Sequence, residues 1–372
     1  MNVEWELPRK VMKLFRSRYP FQSSMLNTDL PAIFYEEACY KDRPYVLPLV
    51  ILKTRTCKWF QTGGGCTMCN FQSISAYDHT ISKENIINQV NWAMKKLTSH
   101  FQRPYLHLTS SGSFLDPDEI DEETLIEILR IIKKNNVEVL STESRPEFVL
   151  NEQRLETMRE NFNGSISIGI GLESSNDFIR NFCINKGFGT KAFMQAVDIL
   201  KKHDITFHSY ILLGKPFLST YEDIEDTLRT IRLTISLGGI AIVRLVNLQA
   251  HTLVHWLWER NMYALPRLWS ALRVLEDLTP TERSKVWIKG IDKDMPPAIA
   301  YAMNCEECTS TVHNALVGWN ITRDYHIIKQ IIDCCDCKIG WEKTLEEPSE
   351  RNEKRILETY ETIFDEMQQQ SL

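Results

Sequence analysis

The sequence lacks the features of a membrane or an exported protein. It has no run of about 18 uninterrupted apolar residues, and its first segment, MNVEWELPRKVMKLF, lacks the apolar stretch of a signal peptide. It also lacks an excess of basic charge, because 43 Lys and Arg stand against 49 Asp and Glu. The resulting net charge of −6 gives no general support to nucleic-acid binding, which draws on concentrated Lys and Arg. With no internal repeats or low-complexity segments either, we expect a cytoplasmic globular protein.

Cysteine is well represented. The chain of 372 residues contains ten cysteines, and several of them stand in tight groups. In the absence of an export signal, such groups favour metal binding in a reducing compartment over a disulfide framework. The composition, 43% hydrophobic and 25% charged, is ordinary for a soluble protein with one large domain and an appendage.

Short apolar runs alternate with amphipathic helical patterns. The runs are typical of buried strands and cover residues 46–54, 104–110, 137–143, 165–173, 206–214 and 240–247. Helical spacing covers residues 82–97, 121–135, 151–161, 190–203 and 220–238. Six such units with right-handed crossovers predict an α/β fold, either a partial barrel or an open doubly wound sheet. In both, ligands bind at the C-terminal ends of the strands.

The pattern also predicts a division of the chain. We expect an N-terminal helical extension, the βα core, a helical elaboration of the core, a Cys-rich metal-binding lobe and a C-terminal helix, over residues 1–45, 46–250, 251–300, 301–345 and 346–372. The C-terminal helix has apolar residues at helical spacing, namely Ile356, Tyr360, Ile363 and Met367. This apolar face is expected to pack on the barrel or on a partner.

An aromatic block follows the sixth strand. Its members are Trp256, Trp258, Tyr263 and Trp269. Aromatic faces can stack on nucleobases, but aromatics at helical spacing are more often packed in a core. We therefore expect core packing.

Three cysteines surround three glycines directly after the first predicted strand, in TRTCKWFQTGGGCTMCN. Cys57, Cys66 and Cys69 supply three thiolates, which leave one corner of a tetrahedral metal site, or one iron of a cubane cluster, without a protein ligand. An iron-sulfur cluster with an open iron fits this count. The alternative is a zinc site completed by His79 or a distant thiol. Glycines 63–65 are expected to let bare backbone enclose the cluster.

This motif at the end of a first barrel strand resembles the radical S-adenosylmethionine (radical SAM) superfamily, in the branch related to the Elongator catalytic subunit. The resemblance implies a partial (β/α)6 TIM-like barrel and a [4Fe–4S] cluster on Cys57, Cys66 and Cys69. It also implies that the open iron binds S-adenosylmethionine, which is cleaved to a 5′-deoxyadenosyl radical that abstracts hydrogen from a substrate. The implied electron donor is of the flavodoxin or ferredoxin type.

The resemblance extends to the ends of the later strands, which implies a set of cofactor-binding residues. LTSSGSFLDPDEI stands where the family has a Gly-Gly-Glu-like turn, STESRPEFV resembles a Glu-x-Arg-Pro element, and GIGLESSNDFIRNFCINKGF follows the fourth predicted strand. The implied contacts are Ser111, Gly112, Ser113, Glu143, Arg145, Glu173, Arg180 and Lys186. No individual catalytic residue is assigned.

A narrower resemblance is to the radical SAM subunits of archaeosine synthases. It is carried by ESRPE, by GLESSNDFIRNFCINKGF and by the segment after the sixth strand. It implies C–N bond cleavage on a lysine-modified 7-deazaguanine of tRNA and a partner subunit that transfers lysine. Leu245, Val246 and Asn247 depart from the expected Asn-Pro-Thr-Asn-like run. The alternatives are a radical SAM enzyme of small-molecule or peptide biosynthesis, and a zinc-organised binding module without radical chemistry.

A second cysteine group lies near the C-terminus. Cys305 and Cys308 form a CxxC pair, and Cys335 and Cys337 form a CxC pair after an interval of 26 residues. Four thiolates suit a closed tetrahedral zinc site, which in a small lobe contributes folding free energy. A second iron-sulfur cluster and redox-active thiols are the alternatives. His313 and His326 are expected to be ordinary residues of the lobe, and Cys39 and Cys183 to be packing residues.

Overall fold

One curled sheet of eight strands organises the protein. The computed structural model describes residues 5–20, 27–41, 43–76, 80–98, 105–291, 298–346 and 352–369. The strands are β1 (Ala32–Tyr40), β2 (Arg43–Leu52), β3 (Tyr105–Ser110), β4 (Val139–Glu143), β5 (Ser165–Glu173), β6 (Thr206–Leu213), β7 (Ile240–Leu245) and β8 (Val286–Lys289). They lie side by side in chain order; β1 is antiparallel to β2, and every later pair is parallel.

Helices follow the strands and cover the sheet. They are α1 (Glu6–Arg18), α2 (Lys58–Gly63), α3 (Lys83–Thr98), α4 (Glu122–Lys134), α5 (Pro146–Val149), α6 (Glu152–Asn161), α7 (Thr190–Lys202), α8 (Thr220–Ser236), α9 (Leu253–Glu259), α10 (Leu268–Glu276), α11 (Pro280–Arg283), α12 (Thr309–Thr322), α13 (Tyr325–Lys329), α14 (Cys337–Glu342) and α15 (Asn352–Gln369). Helix α8 begins at the predicted cap, where Ser219 and Glu222 form a capping box.

The six predicted strands are confirmed as β2 to β7, and the five predicted helices between them are α3, α4, α6, α7 and α8. Two strands were not predicted. Strand β1 lies in the segment expected to be a helical extension, and β8 in the segment expected to elaborate the core with helices. Each of these segments contains the expected helices and also contributes one strand to the sheet. The pairing of Tyr40 with Arg43 makes β1 and β2 a tight hairpin.

The two edges of the curled sheet approach each other. Lys289 of β8 forms an ion pair with Glu36 of β1 at 3.2 Å and donates to the Glu37 carbonyl at 2.9 Å. Helix α12 lies over the same region and packs on β1, β2 and β8. Its Asn320 donates to the Ile288 carbonyl at 2.6 Å and accepts from the Ile288 N–H at 3.0 Å. The amide thus satisfies edge backbone groups of β8 that would otherwise lack a strand partner.

The C-terminal helices share their core with the barrel. Val312, Leu316 and Trp319 of α12 are buried in one cluster with Val243 of β7 and Ile288 of β8. The predicted lobe is therefore continuous with the sheet in its packing. The predicted apolar face of α15 is confirmed, since its four apolar residues are all fully buried: Ile356, Tyr360, Ile363 and Met367.

The aromatic block is divided between core and surface. Trp256 and Trp269 are buried as expected, and Tyr263 donates to the Gly214 carbonyl at 2.8 Å. Trp258 is 41% exposed, so core packing was wrong for this residue. No helix among the described residues combines the length and the apolar character needed to cross a bilayer.

Candidate active site and cysteine-rich metal site

The three cysteines after β2 meet in one cavity at the C-terminal ends of the strands. Cys57 precedes α2, Cys66 and Cys69 follow it, and all three line a cavity of about 230 Å³. All ten cysteines of the chain are free thiols. Burial and the neighbouring Cys66 and Cys57 raise the pKa of Cys69 to about 12. A metal centre that binds these three thiols stabilises them as thiolates and so removes the cost of ionising neighbouring buried groups.

The glycines between these cysteines shape the loop. Gly64 has a φ of 80°, and a Cβ on it would lie 2.9 Å from the backbone of Met12 in α1. The Asn185 amide donates to the carbonyls of Gly63 and Gly65 at 2.9 and 2.7 Å. None of the three glycines belongs to the described lining of the cavity. They serve a tight turn packed between α1 and Asn185, and the expectation that their backbone encloses a cluster stays a prediction.

Helix α1 closes the outside of the cysteine loop. Arg16 donates to the carbonyls of Gly64 at 3.1 Å and Cys69 at 3.3 Å, and also to that of His251. Burial lowers the pKa of Arg16 to about 10, which still leaves it charged at neutral pH. The sequence offered no local signal for this contact, because 48 residues separate Arg16 from Gly64.

The turn after β3 supplies the next part of the cavity. Ser111 and Gly112 line it, whereas Ser113 lies outside the described lining and supports the turn. The Ser113 hydroxyl accepts from the Arg145 N–H at 3.2 Å, and the Ser113 N–H donates to Glu119 at 2.8 Å. A Cβ on Gly112 would lie 2.1 Å from a Glu119 oxygen and 2.6 Å from Cys57 Cα.

Glu119 is a supporting residue that the sequence reasoning missed. It is buried beneath the turn and also accepts from the Thr54 hydroxyl at 2.6 Å. Burial raises its pKa to about 7, although the hydrogen bonds from Thr54 and Ser113 act in the opposite direction. Glu119 follows Ser113 by six residues, and this spacing indicates a contact only when the conformation of the turn between them is known.

Glu143 ends β4 and lines the cavity as predicted. It accepts from the Tyr210 hydroxyl at 2.7 Å and lies 3.2 Å from His107 Nε2. Burial opposes ionisation, but His107, Tyr210 and the charge of Arg244 bring the pKa of Glu143 down to about 2. The carboxylate is therefore ionised and held by residues of the barrel interior.

Arg145 and Lys186 are the predicted cations of the cavity, and both lie in it. Arg145 is paired with Glu147, and its guanidinium lies 5.3 Å from the Trp59 ring. Lys186 is paired with Glu173 at 2.7 Å, and this partner and Cys66 raise the pKa of Lys186 despite its burial. Both side chains are thus fixed near the cysteines in their charged forms.

Glu173 reaches the cavity through an irregularity in β5. The pairing of β5 with β6 shifts between Gly171 and Glu173, and Glu173 has a φ of 63°. Such a bulge redirects a side chain at the end of a strand. Gly169 and Gly171 line the cavity beside it, and a Cβ on Gly171 would lie 2.5 Å from Lys186 Nζ.

Arg180 lies outside the described cavity lining. It is fully buried and donates to the carbonyls of Ser174 and Phe188 at 2.7 and 3.1 Å, and it is ion-paired with Asp177. These bonds fix the segment that carries Lys186. The predicted contact of Arg180 with the cofactor stays a prediction.

The second cysteine group forms a compact set. The Sγ atoms of Cys305 and Cys308 lie 3.5 Å apart, those of Cys305 and Cys335 3.4 Å, and those of Cys308 and Cys337 3.5 Å. All four ligand atoms lie within 4.8 Å of one another. Sulfurs of a tetrahedral site with bonds of about 2.3 Å are separated by about 3.8 Å, so this group can hold a single metal ion. Cys334 is exposed and outside the group.

The predicted bystander residues agree with this arrangement. His313 lies 3.4 Å from Asn314, and neither His313 nor His326 belongs to the metal-binding group found among the described residues. Cys183 is fully buried, and Cys39 is half-buried on β1. His79 falls outside the described residues.

Comparison with known proteins gives the family. The sequence model of the radical SAM superfamily matches residues 51–231. The archaeosine synthase subunit beta of Methanosarcina acetivorans is 31% identical over 301 residues, which are 80% of this chain and 84% of that protein. The chain belongs to the radical SAM superfamily. The same subunit of Thermococcus kodakarensis is 32% identical over 234 residues, 63% of this chain and 72% of that one.

Among solved structures, Elp3 of Methanocaldococcus infernus, lacking its N-terminal residues, is similar with a TM-score of 0.47 and 15% identity, over 63% of this chain and 59% of that one. Family membership makes the protein an enzyme and sets aside the alternative of a binding module. It also implies a [4Fe–4S] cluster and S-adenosylmethionine as cofactors.

The donor set of the radical SAM cavity fits such a cluster. Its described lining contains three cysteines and no histidine, so three thiolates are available and no fourth thiolate or imidazole stands with them. Charged side chains stand next to them, namely Arg145 and the Glu173–Lys186 pair. Four further polar residues of the site were not predicted from the sequence: His107, Tyr210, Arg244 and Asn247. Each is a polar residue within or just after an apolar strand, and this position is the feature that could have identified it.

Proposed function

We propose that this radical SAM enzyme cleaves a C–N bond in a lysine-modified 7-deazaguanine of tRNA and so forms archaeosine. The observation that carries the proposal is the similarity to archaeosine synthase subunit beta, which spans 80% of this chain at 31% identity. Similarity over most of both chains includes the segments after β4, β5 and β7 that surround the cavity, where substrate specificity resides in parallel α/β folds.

Cys57, Cys66 and Cys69 hold the [4Fe–4S] cluster in this proposal. When bound, the cluster supplies the electron that cleaves S-adenosylmethionine. The protein's contribution is to enclose the thiolates: Asn185 and Arg16 fix the loop that carries them, and Glu119 supports the turn of Ser111 and Gly112 beside Cys57.

The cofactor-binding set is assigned to residues that line the same cavity as the three cysteines. Ser111 and Gly112 offer backbone groups, Arg145 and Lys186 offer positive charge, and Glu173 offers a carboxylate. Glu143 presents its carboxylate while His107 and Tyr210 hold it ionised. We assign Ser113 and Arg180 the task of orienting Arg145 and the Lys186 segment through their hydrogen bonds.

We propose zinc for the four-thiol group. Sulfur separations of 3.4 to 3.5 Å suit one small tetrahedral ion, whereas a cubane cluster needs more space between its ligands. Trp269 donates to Cys337 Sγ at 3.3 Å, a contact that supports a thiolate there. The ion then ties the start of α12 to α14.

The proposed activity requires partners. The relatives are named as beta subunits, which supports a second subunit, for which lysine transfer is the expected activity. The tRNA and a flavodoxin- or ferredoxin-type electron donor complete the set, and a cytoplasmic location is consistent with them. The predicted segments 1–45, 46–250, 251–300, 301–345 and 346–372 remain our proposed division of the chain.

The test is anaerobic turnover. Reconstituted enzyme, reductant, S-adenosylmethionine and lysine-modified tRNA are expected to give 5′-deoxyadenosine and archaeosine, both measured by mass spectrometry of the digested RNA and the small-molecule fraction. Cys66→Ala should give neither product. Cys39→Ala, on β1 and outside both cysteine groups, is the matched control and should give both. Formation of 5′-deoxyadenosine with unchanged RNA would contradict the substrate and favour a small molecule or peptide.

A further inference from the structure

The inner wall of the barrel carries a cation that the cofactor site does not use. Arg244 lies one residue before the end of β7 and lines the cavity. Among the residues that the structure describes, none offers its guanidinium a hydrogen bond or an ion pair. The guanidinium lies 5.8 Å from the Tyr210 ring, and Arg244 is only partly buried, so its N–H donors are open to a bidentate anion in the cavity.

The carboxylates around Arg244 are already committed to other groups. Glu143 accepts from Tyr210 at 2.7 Å, and Glu173 pairs with Lys186 at 2.7 Å. Glu36 pairs with Lys289 at 3.2 Å. Their combined field keeps Arg244 charged despite its burial and leaves the guanidinium fork available for a ligand.

Arg244 stands on β7, whereas the three cysteines follow β2 and Lys186 follows β5. The charge of Cys66 acts on both Arg145 and Lys186, which places those two cations beside the cluster loop. Glu36, Glu143 and Glu173 are the carboxylates whose charges act on Arg244. Arg145 and Lys186 already supply two cations beside the cysteines, so the anion that Arg244 receives is assigned to the substrate.

Asn247 supplies the complementary group. It follows Arg244 by three residues and lines the same cavity, and its Oδ1 atom is buried with no hydrogen-bond partner in the described part of the chain. An amide oxygen in that state accepts from an N–H donor of a ligand. A cation and a hydrogen-bond acceptor on one short segment match the carboxylate and the amino group of an α-amino acid.

We propose that Arg244 and Asn247 bind the amino-acid group of the substrate, Arg244 its carboxylate and Asn247 its nitrogen. This inference rests on the proposed function, in which a lysine joined through nitrogen keeps a free carboxylate. Arg244 then determines specificity by holding the lysine so that the bond to be cleaved faces the cofactor side of the cavity.

The test measures binding without turnover. Two RNA hairpins are compared, one with the lysine-modified base and one with the corresponding lysinamide, on reconstituted enzyme without reductant. Wild type should bind the carboxylate RNA about 10- to 100-fold more tightly than the amide RNA. Arg244→Gln should bind both equally, and Arg244→Lys should retain part of the preference. Arg229→Gln, an exposed residue of α8, is the control and should behave as wild type.

A second measurement distinguishes whether Arg244 binds the carboxylate of S-adenosylmethionine or that of the substrate. The change that S-adenosylmethionine causes in the electron paramagnetic resonance spectrum of the reduced cluster should be the same in Arg244→Gln and wild type. Its loss would assign Arg244 to the cofactor and overturn the inference, as would equal binding of both hairpins by wild type. Asn247→Leu, which keeps the arginine, should weaken both hairpins and so tests the pair if Arg244→Gln does not fold.

Failure of the proposed function gives a different result. Wild-type enzyme could leave lysine-modified tRNA unchanged and still bind free lysine in preference to lysinamide, with the preference lost in Arg244→Gln. That outcome would support the amino-acid site and overturn only the RNA substrate. Absence of any carboxylate preference in both the RNA and the free amino acid would overturn the site itself.

Discussion

At the scale of single residues, the site depends on side chains that form hydrogen bonds with backbone carbonyls. Asn185 is the clearest case, because its amide binds two carbonyls of the glycine run while its own backbone has a φ of 54°. Asn is one of the few residue types that adopt this conformation at modest cost. A single side chain therefore connects the segment after β5 to the loop of the cluster cysteines.

Asn185→Ala should lose both hydrogen bonds and leave two carbonyls unsatisfied. We expect the free energy of unfolding to fall by about 2–3 kcal/mol and the reconstituted enzyme to hold less iron. Asn136→Ala is the control, because Asn136 is an exposed residue after α4 with a similar φ of 56°. It measures the cost of placing alanine in the left-handed conformation without the loss of the two hydrogen bonds. Equal iron content in the two variants, by metal analysis, would contradict this account.

Glu119 predicts a pH dependence of stability. Its pKa is about 7 in the folded protein, above the ordinary value of 4.5, so the unfolded chain loses the proton first as the pH rises. The contribution of Glu119 to the free energy of unfolding is then fully present below pH 4.5 and falls as the pH rises to 7, by on the order of 2–3 kcal/mol. In denaturant unfolding of the apoprotein, the slope of the free energy of unfolding against pH should differ between wild type and Glu119→Gln by this amount, whereas Glu127→Gln, at a partly exposed position of α4, should keep the wild-type slope. A wild-type slope in Glu119→Gln would refute the assignment.

The residues that could be predicted from the sequence are those whose type and spacing are local. The Cys57–Cys69 motif, Glu143 and Glu173 follow strand ends, and an apolar strand is visible in the sequence. Glu119, His107 and Arg244 were not predictable, because their positions depend on which strands become neighbours and which faces turn inward. Arg180 is a different case, because it stands in a motif that resembles the family and yet its guanidinium donates to backbone carbonyls of its own segment.

At the scale of elements, helix α1 acts as part of the site. Its apolar residues Val11, Met12 and Phe15 are buried against the rest of the protein, and Arg16 caps two carbonyls of the cysteine loop. Sequence periodicity identifies such a helix but not its docking place. The strand β8 was missed for a related reason, since four residues are too few to display an alternating pattern.

Arg16→Met should loosen the cysteine loop and leave the helix itself intact. We expect a chelator to remove iron severalfold faster than from wild type, because three backbone carbonyls lose their donor. Lys10→Met, on the exposed side of the same helix and paired with Glu6, is the control. Release rates are read from the decay of cluster absorption. Identical rates in the two variants would show that α1 contributes packing alone.

At the scale of the whole molecule, the sheet and the C-terminal helices form one packing unit. Helix α12 covers the approach of β1 and β8, and the four-thiol group fixes its start to α14. A metal there stabilises more than a local lobe, because the helix it anchors shares a core with the barrel strands.

Cys308→Ser should therefore destabilise the entire fold. We expect loss of the metal ion proposed for the four-thiol group and a melting temperature lower by about 10 °C, in a single transition. Cys334→Ser removes the exposed neighbouring thiol and should change neither quantity. Calorimetry with metal analysis measures both. A separate low-temperature transition in Cys308→Ser would show instead that the lobe unfolds by itself.

Helix α15 packs on α1, and its Tyr360 donates to the Phe182 carbonyl in the segment that leads to Asn185. The wall behind the cluster loop thus combines residues from both ends of the polypeptide. During synthesis on a ribosome, residue 360 emerges long after Cys57, Cys66 and Cys69 have been made. A nascent chain that lacks residue 360 would hold its three thiols without that support, so iron-sulfur assembly factors are expected to deliver the cluster only after residue 360 has emerged.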